Sequence, residues 1–141
     1  MSKSHDIAWA AGFFDGDGYV TINRGFRQNK YICHILFVGS NHVAPEPLEA
    51  LAKLFGGVVV LDQNSLKPSE FNRKPRYRWK ITGDKAKEAL ICMMPYFRNK
   101  QQAAEIGIEL ANTLNKGSVT PEVIATRDIL WNALKHLNSL D

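Results

Sequence analysis

The chain has 141 residues, of which 45% are hydrophobic and 23% are charged, proportions that exclude an intrinsically disordered protein. Eighteen Lys and Arg residues against 14 Asp and Glu residues give a net charge of +4, which permits an anionic partner without specifying one. The length predicts a single domain over residues 1–141.

Several protein classes are disfavoured at once. No apolar run approaches the ~20 residues that a membrane-spanning helix needs, so we expect no membrane partner. The first six residues lack the apolar stretch of a secretory signal, and we therefore expect an intracellular protein, cytoplasmic or organellar. Cys33 and Cys92 are too few for a zinc cluster or a disulfide framework. We also expect no small-molecule cofactor.

The first predicted element is a short apolar helix that runs directly into two carboxylates, Asp15 and Asp17. The glycines that follow each acid predict the end of this helix. Small side chains at helical spacing share one of its faces, which would let a second backbone approach closely. This candidate interface consists of Ala8, Ala11, Gly12 and Asp15.

Both acids lie where the carbonyls of a helix C-terminus already carry about half a negative charge. A hard divalent cation, held by carboxylate and backbone carbonyl oxygens, would compensate that charge. The alternative is a surface helix whose acids only solvate a turn. A calcium-binding EF-hand loop is disfavoured, because Tyr19 stands where a third ligand is required.

Two strands are predicted next. Residues 19–24 alternate, with Val20 and Ile22 on one face and Tyr19, Thr21 and Asn23 on the other. A basic turn over residues 25–30 leads into a second strand over residues 31–38. Both faces of that second strand are apolar, so the pattern does not show which face is buried.

A helix starting at Pro45 and a strand over residues 58–61 follow, and then a long polar loop up to Pro75. The next strand, residues 76–81, places Arg76, Arg78 and Lys80 on one face and aromatic and aliphatic residues on the other. A row of charges with one sign favours an anionic partner. Helices are predicted from residue 83, over residues 98–115, and over residues 120–137, where Thr120 caps the helix.

Residues 10–18, AAGFFDGDG, resemble the nine-residue signature of the LAGLIDADG homing endonucleases and depart from it clearly only at the first position. The predicted order over about residues 5–115 is also similar to the α-β-β-α-β-β-α core of that family. The resemblance implies an α+β protein with a saddle-shaped antiparallel sheet that straddles DNA, followed by C-terminal helices.

By the same resemblance, Asp17 and the carbonyl of Gly16 bind a catalytic Mg²⁺, with Mn²⁺ or Ca²⁺ able to substitute in binding. Lys100 matches a basic residue close to the active site, and Asp15 matches an acid at the helix interface. Ser40 stands where the family often has a glutamine that orders water in the metal pocket. Either the adjacent Asn41 replaces that glutamine or the water network differs.

The resemblance predicts a site-specific double-strand DNA endonuclease encoded by a mobile element such as an intron. One motif supplies one set of acids, whereas a double-strand break needs two, so we expect a homodimer with a near-palindromic target. We expect the DNA contacts to come from polar residues of the first and fourth predicted strands and of the neighbouring loops. These residues are Thr21, Asn23, Arg24, Arg27, Arg73, Lys74, Arg76, Arg78 and Lys80.

Two alternatives remain open at this point. The first is a nucleic-acid-binding relative without cleavage activity, such as an RNA splicing maturase or a regulator, which the departure at Ser40 favours. The second is a helical dimer with a metal at its seam and no nucleic-acid partner, which the row of cations disfavours.

Overall fold

A computed structural model of the chain describes residues 3–27, 31–62, 75–114 and 119–140. The elements in chain order are α1 (Lys3–Asp17), β1 (Gly18–Arg27), β2 (Tyr31–His42), α2 (Pro45–Phe55), β3 (Val59–Leu61), β4 (Tyr77–Thr82), α3 (Gly83–Met93), a 3₁₀ turn (Met94–Tyr96), α4 (Gln101–Leu114) and α5 (Pro121–Ser139). The predicted α+β class and element order are confirmed.

The four strands form one antiparallel sheet in the order β1-β2-β4-β3. The β1–β2 hairpin pairs Gly18 with Ser40 at the end near α1. Strand β2 runs four residues further than predicted, because residues 39–42 pair with β4 as far as Tyr77. Strand β2 lies between β1 and β4, and its last residues extend the sheet to the end of α1.

The helices cover one face of this sheet, and β2 shows which face it is. Leu36, Val38 and Ser40 are fully buried, whereas the alternate residue Ile35 is exposed. This settles the ambiguity of the second strand, whose even-numbered residues point toward the helices. The core beneath includes Trp79, whose indole Nε1 donates a hydrogen bond to the Gly56 carbonyl (2.8 Å).

Helix boundaries differ from prediction at two places. Helix α1 already includes Lys3 and continues to Asp17, so it runs up to the second of the two acids. Helix α4 begins at Gln101, three residues later than predicted. The cap of α5 is confirmed, because the Thr120 hydroxyl accepts the Val123 N–H (3.2 Å). Within the described ranges, no helix has the length and apolar character needed to cross a membrane.

Candidate functional site

The C-terminal end of α1 meets the start of the sheet. Asp17 is the last helical residue, and 53% of its side chain is exposed. Gly18 must follow it, because a Cβ at that position would lie 2.3 Å from the Phe14 ring. A Cβ added at Gly16 would meet no atom within 4 Å. The carboxylate therefore stands at an open surface beside uncrowded backbone.

Ser40, which stands where the family often has a water-ordering glutamine, faces the core and not the open surface. Its side chain is fully buried, and its hydroxyl donates a hydrogen bond to the backbone carbonyl of Asp17 (2.9 Å). The physical reason is the register of β2, in which residue 40 points toward the helices. Asn41 points the other way, is exposed, and pairs in register with Arg78 on the open face.

Asp15 is bound within its own chain. Its two carboxylate oxygens accept the backbone N–H groups of Arg98, Asn99 and Lys100 at 2.9–3.1 Å. Successive N–H groups of a turn form a concave anion site, and the carboxylate fills it. The turn before α4 therefore occupies both oxygens of Asp15, and the role of this acid at a dimer interface stays a prediction.

The same contacts place Lys100 at the acidic helix end. Its ammonium Nζ donates a hydrogen bond to the backbone carbonyl of Asp15 (3.2 Å), two residues before Asp17. Lys100 lies in the turn that precedes α4, since its own carbonyl accepts the Ala104 N–H (2.8 Å). A cation is thus held within the last turn of α1, as the resemblance implied.

His42 also lies at this helix end, although the sequence analysis did not single it out. Its Nδ1 lies 3.0 Å from the backbone nitrogen and 3.2 Å from the carbonyl oxygen of Ala44. Its Nε2 lies 3.8 Å from Asp17 Oδ2, too far for a hydrogen bond but close enough for a polar contact. The ring also packs against Phe13, with centroids 5.4 Å apart. Only the extension of β2 brings His42 here, so no local pattern could have revealed it.

The outer surface of α1 is apolar and has little bulk. Trp9 is 46% exposed and stacks on Phe13 with centroids 5.7 Å apart, while Gly12 is exposed with open space around it. Ala8 is half-buried. Ala11 is fully buried in the core of its own chain, so its assignment to a dimer interface is wrong. The available face is rotated from the predicted one and includes Trp9.

The open face of the sheet carries most of the described residues that were predicted to bind DNA. Arg78 and Lys80 are exposed opposite the buried Trp79 and Ile81, which confirms the one-sided row in β4. Lys80 Nζ lies over the Phe37 ring, 4.8 Å from its centroid. Among the other described residues that were predicted to bind DNA, Asn23 and Arg76 are exposed and Thr21 is half-buried.

Arg24 lies on the opposite, helix-covered face. Its Nε donates to Asp128 Oδ1 (2.7 Å), and its guanidinium lies over the Trp131 ring. The hydrogen bonds from Arg24 and then from buried His34 hold the pKa of Asp128 below its usual value. The prediction that Arg24 faces DNA is wrong, because alternation places it beside the buried residues of β1. The side chain of Arg27, and Arg73 and Lys74 entirely, lie outside the described residues.

An aromatic residue closes the part of the open face nearest to α1. The Tyr19 ring lies across Gly39, where an added Cβ would come within 2.6 Å of the phenol oxygen and 2.5 Å of the Trp79 carbonyl. Burial raises the pKa of Tyr19, and the nearby charge of Arg78 partly opposes that rise. Gly39 is thus required by a close approach between neighbouring strands.

A single chain offers an incomplete set of metal ligands. Among the described residues, no three His, Cys, Asp or Glu side chains gather where a metal ion would fit. The donors at the end of α1 are the Asp17 carboxylate and backbone carbonyl oxygens. These hard oxygen donors suit Mg²⁺ or Ca²⁺, provided that further oxygens come from elsewhere.

No protein-family sequence model matches the chain, and no curated protein sequence does either. Solved structures do match. The archaeal intron-encoded homing endonuclease I-Vdi141I, complexed with DNA, has a TM-score of 0.80 and 14% identity over 96% of this chain and 86% of its own. I-CvuI, in complex with DNA in the presence of Ca²⁺, gives 0.76 and 18% over 95% and 82%.

I-SmaMI, described as a LAGLIDADG homing endonuclease, has TM-scores of 0.70–0.72. The chain has the LAGLIDADG homing endonuclease fold. At identities of 14–20%, the likeness establishes the fold alone. In I-SmaMI bound to uncleavable DNA, the chain matches only 43% of that protein's length. One copy of this homing endonuclease fold thus fits within less than half of a longer relative.

Proposed function

We propose that the chain is a site-specific, metal-dependent DNA endonuclease that acts as a homodimer on double-stranded DNA. One observation carries the proposal: the exposed Asp17 carboxylate ends α1 at the edge of an open sheet face on which Arg78 and Lys80 are exposed. Acidic and cationic groups are thereby separated, so that phosphates can lie on the cations while one phosphate approaches the acid.

The Asp17 carboxylate and the backbone carbonyl of Gly16 would hold Mg²⁺. A bound divalent ion supplies an activated water and stabilises the charge that develops on the phosphate and the leaving oxygen. The fit rests on the open surface at Gly16 and on the absence of bulk near this backbone. Two structures of I-CvuI with DNA are described in the presence of Ca²⁺ or Mg²⁺, which supports the same class of ion here.

Lys100 would stabilise the negative charge on the scissile phosphate. Asp15 orients it twice, since the Asp15 carboxylate holds the Lys100 N–H and the Asp15 carbonyl holds the ammonium. His42 would hold the Asp17 carboxylate on the sheet side through its Nε2–H. Asp15 and His42 would thus position the Lys100 ammonium and the Asp17 carboxylate before the reaction begins.

A second copy would complete the site. Two chains that pack through the exposed face of α1, which includes Trp9 and Gly12, would bring two Asp17 carboxylates together about a two-fold axis. The open space at Gly12 would let a second backbone approach this face closely. The target would then be near-palindromic, and each chain would cut one strand.

The open sheet face would lie in the major groove. Thr21 and Asn23 from β1 and Asn41 from β2 would reach base edges, while Arg76, Arg78 and Lys80 would contact phosphates or guanines. Arg27, Arg73 and Lys74 remain candidates from the sequence. Arg24 is not among them, because its guanidinium binds Asp128.

The buried Ser40 favours one second candidate, a non-cleaving DNA- or RNA-binding relative. Its hydroxyl occupies the Asp17 carbonyl, where the resemblance placed a residue that orders water. A water network that differs at this point would weaken cleavage without weakening binding.

A plasmid library of random sites, incubated with the protein and Mg²⁺, tests the proposal. We expect linear product from a small set of sequences, and Asp17→Asn should abolish it while leaving binding in Ca²⁺ intact. Site-specific binding without cutting in Mg²⁺ or Mn²⁺ would favour the non-cleaving relative. Absence of any selective binding to duplex DNA or RNA would refute both.

A further inference from the structure

An apolar side chain stands exposed within the polar open face of the sheet. Ile35, in the middle of β2, is 41% exposed, although its neighbours Leu36 and Val38 on the other face are fully buried. Its cross-strand partner is the exposed Asn23. Asn23, Gly25, Cys33 and Ile35 line part of an open depression near the far end of the hairpin, which also includes Ile22, Arg24 and Trp131 from the helix-covered side. Ile35 and Asn23 are both exposed, so one partner can contact the two side chains together from the open face.

The surroundings of Ile35 indicate which partner fits. Arg78 and Lys80 lie on the same face, so the partner carries negative charge nearby and an apolar group above Ile35. The major groove of duplex DNA offers both features, because charged phosphates flank it and the C5-methyl of thymine is its only apolar group. Asn23 adds the side chain that pairs bidentately with the N6 and N7 atoms of adenine.

We propose that Ile35 is a specificity-determining residue that contacts a thymine methyl group in each half of the target, with Asn23 reading adenine beside it. The inference rests on the proposed function, since it assumes that this face lies in the major groove. It goes further, because it names one base-pair type and the residue that selects it.

The register of the sheet places this contact along the DNA. Strand β1 begins at Gly18, directly after Asp17, and the Asn23–Ile35 pair lies five residues further along. At about 3.3 Å per residue, this is roughly 17 Å from the acidic helix end. Duplex DNA rises about 3.4 Å per base pair, so a strand lying along the groove reaches about five base pairs from the cut.

The test begins by selecting duplexes from a random library with the full chain in Ca²⁺. In each half of the selected sites, we expect an A·T pair about five base pairs from the cut. Replacing that thymine by deoxyuridine removes only the methyl group. Wild-type affinity should fall about fourfold per half-site, which corresponds to one buried methyl.

Two variants make the measurement specific. Ile35→Ala should bind the thymine and deoxyuridine duplexes equally, and Ile35→Val should retain part of the difference. Val60→Ala is a matched control, because Val60 is equally exposed (40%) but lies on the edge strand β3 beside Arg78. Both wild type and Val60→Ala should discriminate the two duplexes equally. Exposure of both side chains keeps the melting temperature of each variant close to that of wild type.

These measurements distinguish a failure of the inference from a failure of the proposed function. Equal wild-type affinity for the two duplexes, or selected sites with no preference at this position, would overturn the inference while site-specific binding stands. Preferential binding to polyglutamate with no selected duplex would overturn both the inference and the proposed function. Discrimination that persists in Ile35→Ala would assign the methyl contact to another residue and overturn the role of Ile35.

Discussion

Two aspartates, separated by one glycine, should respond in opposite ways to the same isosteric substitution. Asp15→Asn and Asp17→Asn each remove one negative charge from the last turn of α1. Asp15 uses both carboxylate oxygens to hold the turn before α4, whereas Asp17 has a half-exposed carboxylate. The two variants therefore distinguish a carboxylate that stabilises the fold from one that we propose acts in cleavage.

The magnitude for Asp15 follows from its contacts. The carboxylate accepts three backbone N–H groups in four contacts of 2.9–3.1 Å, and asparagine retains only one acceptor oxygen while presenting an NH₂ group to the other donors. Hydrogen bonds to a charged group contribute about 1.5–3 kcal/mol when shielded. Water can replace part of this loss, because most of these contacts are exposed, so we expect a loss of about 1–2 kcal/mol. For a chain of this size the melting temperature should fall by roughly 3–7 °C.

Asp17 should show the reverse behaviour. Its carboxylate lies at the negative end of the helix dipole, so neutralising it should leave the free energy of unfolding unchanged or raise it by about 0.5 kcal/mol. Metal-dependent cleavage should nevertheless be lost. Asp15→Asn should cleave more slowly than wild type yet retain binding in Ca²⁺, because Lys100 loses part of its orientation.

Calorimetric unfolding without divalent metal, followed by single-turnover cleavage in Mg²⁺, measures both effects on the same preparations. The reasoning fails if Asp15→Asn melts at the wild-type temperature, or if Asp17→Asn is the less stable of the two. Equal cleavage by Asp15→Asn and wild type would remove Asp15 from the positioning of Lys100.

Three further predictions concern other parts of the molecule. Gly12→Leu should raise the stability of the isolated chain by about 0.5–1 kcal/mol, since leucine favours a helix and the site is open, yet sedimentation should show a monomer. Gly39→Ala should lower the free energy of unfolding by about 1–3 kcal/mol through collision with backbone, whereas Gly25→Ala, with nothing within 4 Å, should not lower it. Asp128 has a folded pKa below its unfolded value of about 3.9, so its stabilisation is present at neutral pH and lost as pH falls through the folded pKa. Asp128→Asn should thus be less stable at pH 7 in urea titrations and should lose less stability on acidification; an unchanged acid profile would contradict the pairing with Arg24.

The sequence predicted those features that depend on neighbouring residues. Alternation in β4 separated Arg78 and Lys80 from Trp79, and Thr120 followed by Pro121 marked the start of α5. These signals are local, because burial on one side of a strand or a cap at a helix end needs only a few consecutive positions.

Tertiary contacts decided the rest. The partner of Asp15 lies 83–85 residues away, and the partner of Arg24 lies 104 residues away, so neither pairing leaves a local trace. The surroundings of Ser40 and His42 could not be predicted for a related reason: β2 was predicted to end at residue 38, whereas pairing with β4 continues the strand. One residue of register then decides whether a side chain faces the helices or the open face of the sheet.

The contacts at the end of α1 determine which oxygens of one chain remain for a metal ion. The Asp15 carboxylate is satisfied by the turn before α4, the Asp15 carbonyl by Lys100, and the Asp17 carbonyl by Ser40. These contacts leave the Asp17 carboxylate as the exposed negative group of that turn. In the proposed site, the ligands beyond the Asp17 carboxylate and the Gly16 carbonyl would come from water, DNA phosphate and a second Asp17. Close approach at Gly12 is what would supply that second acid, so dimerisation and metal binding should be lost together in Gly12→Leu.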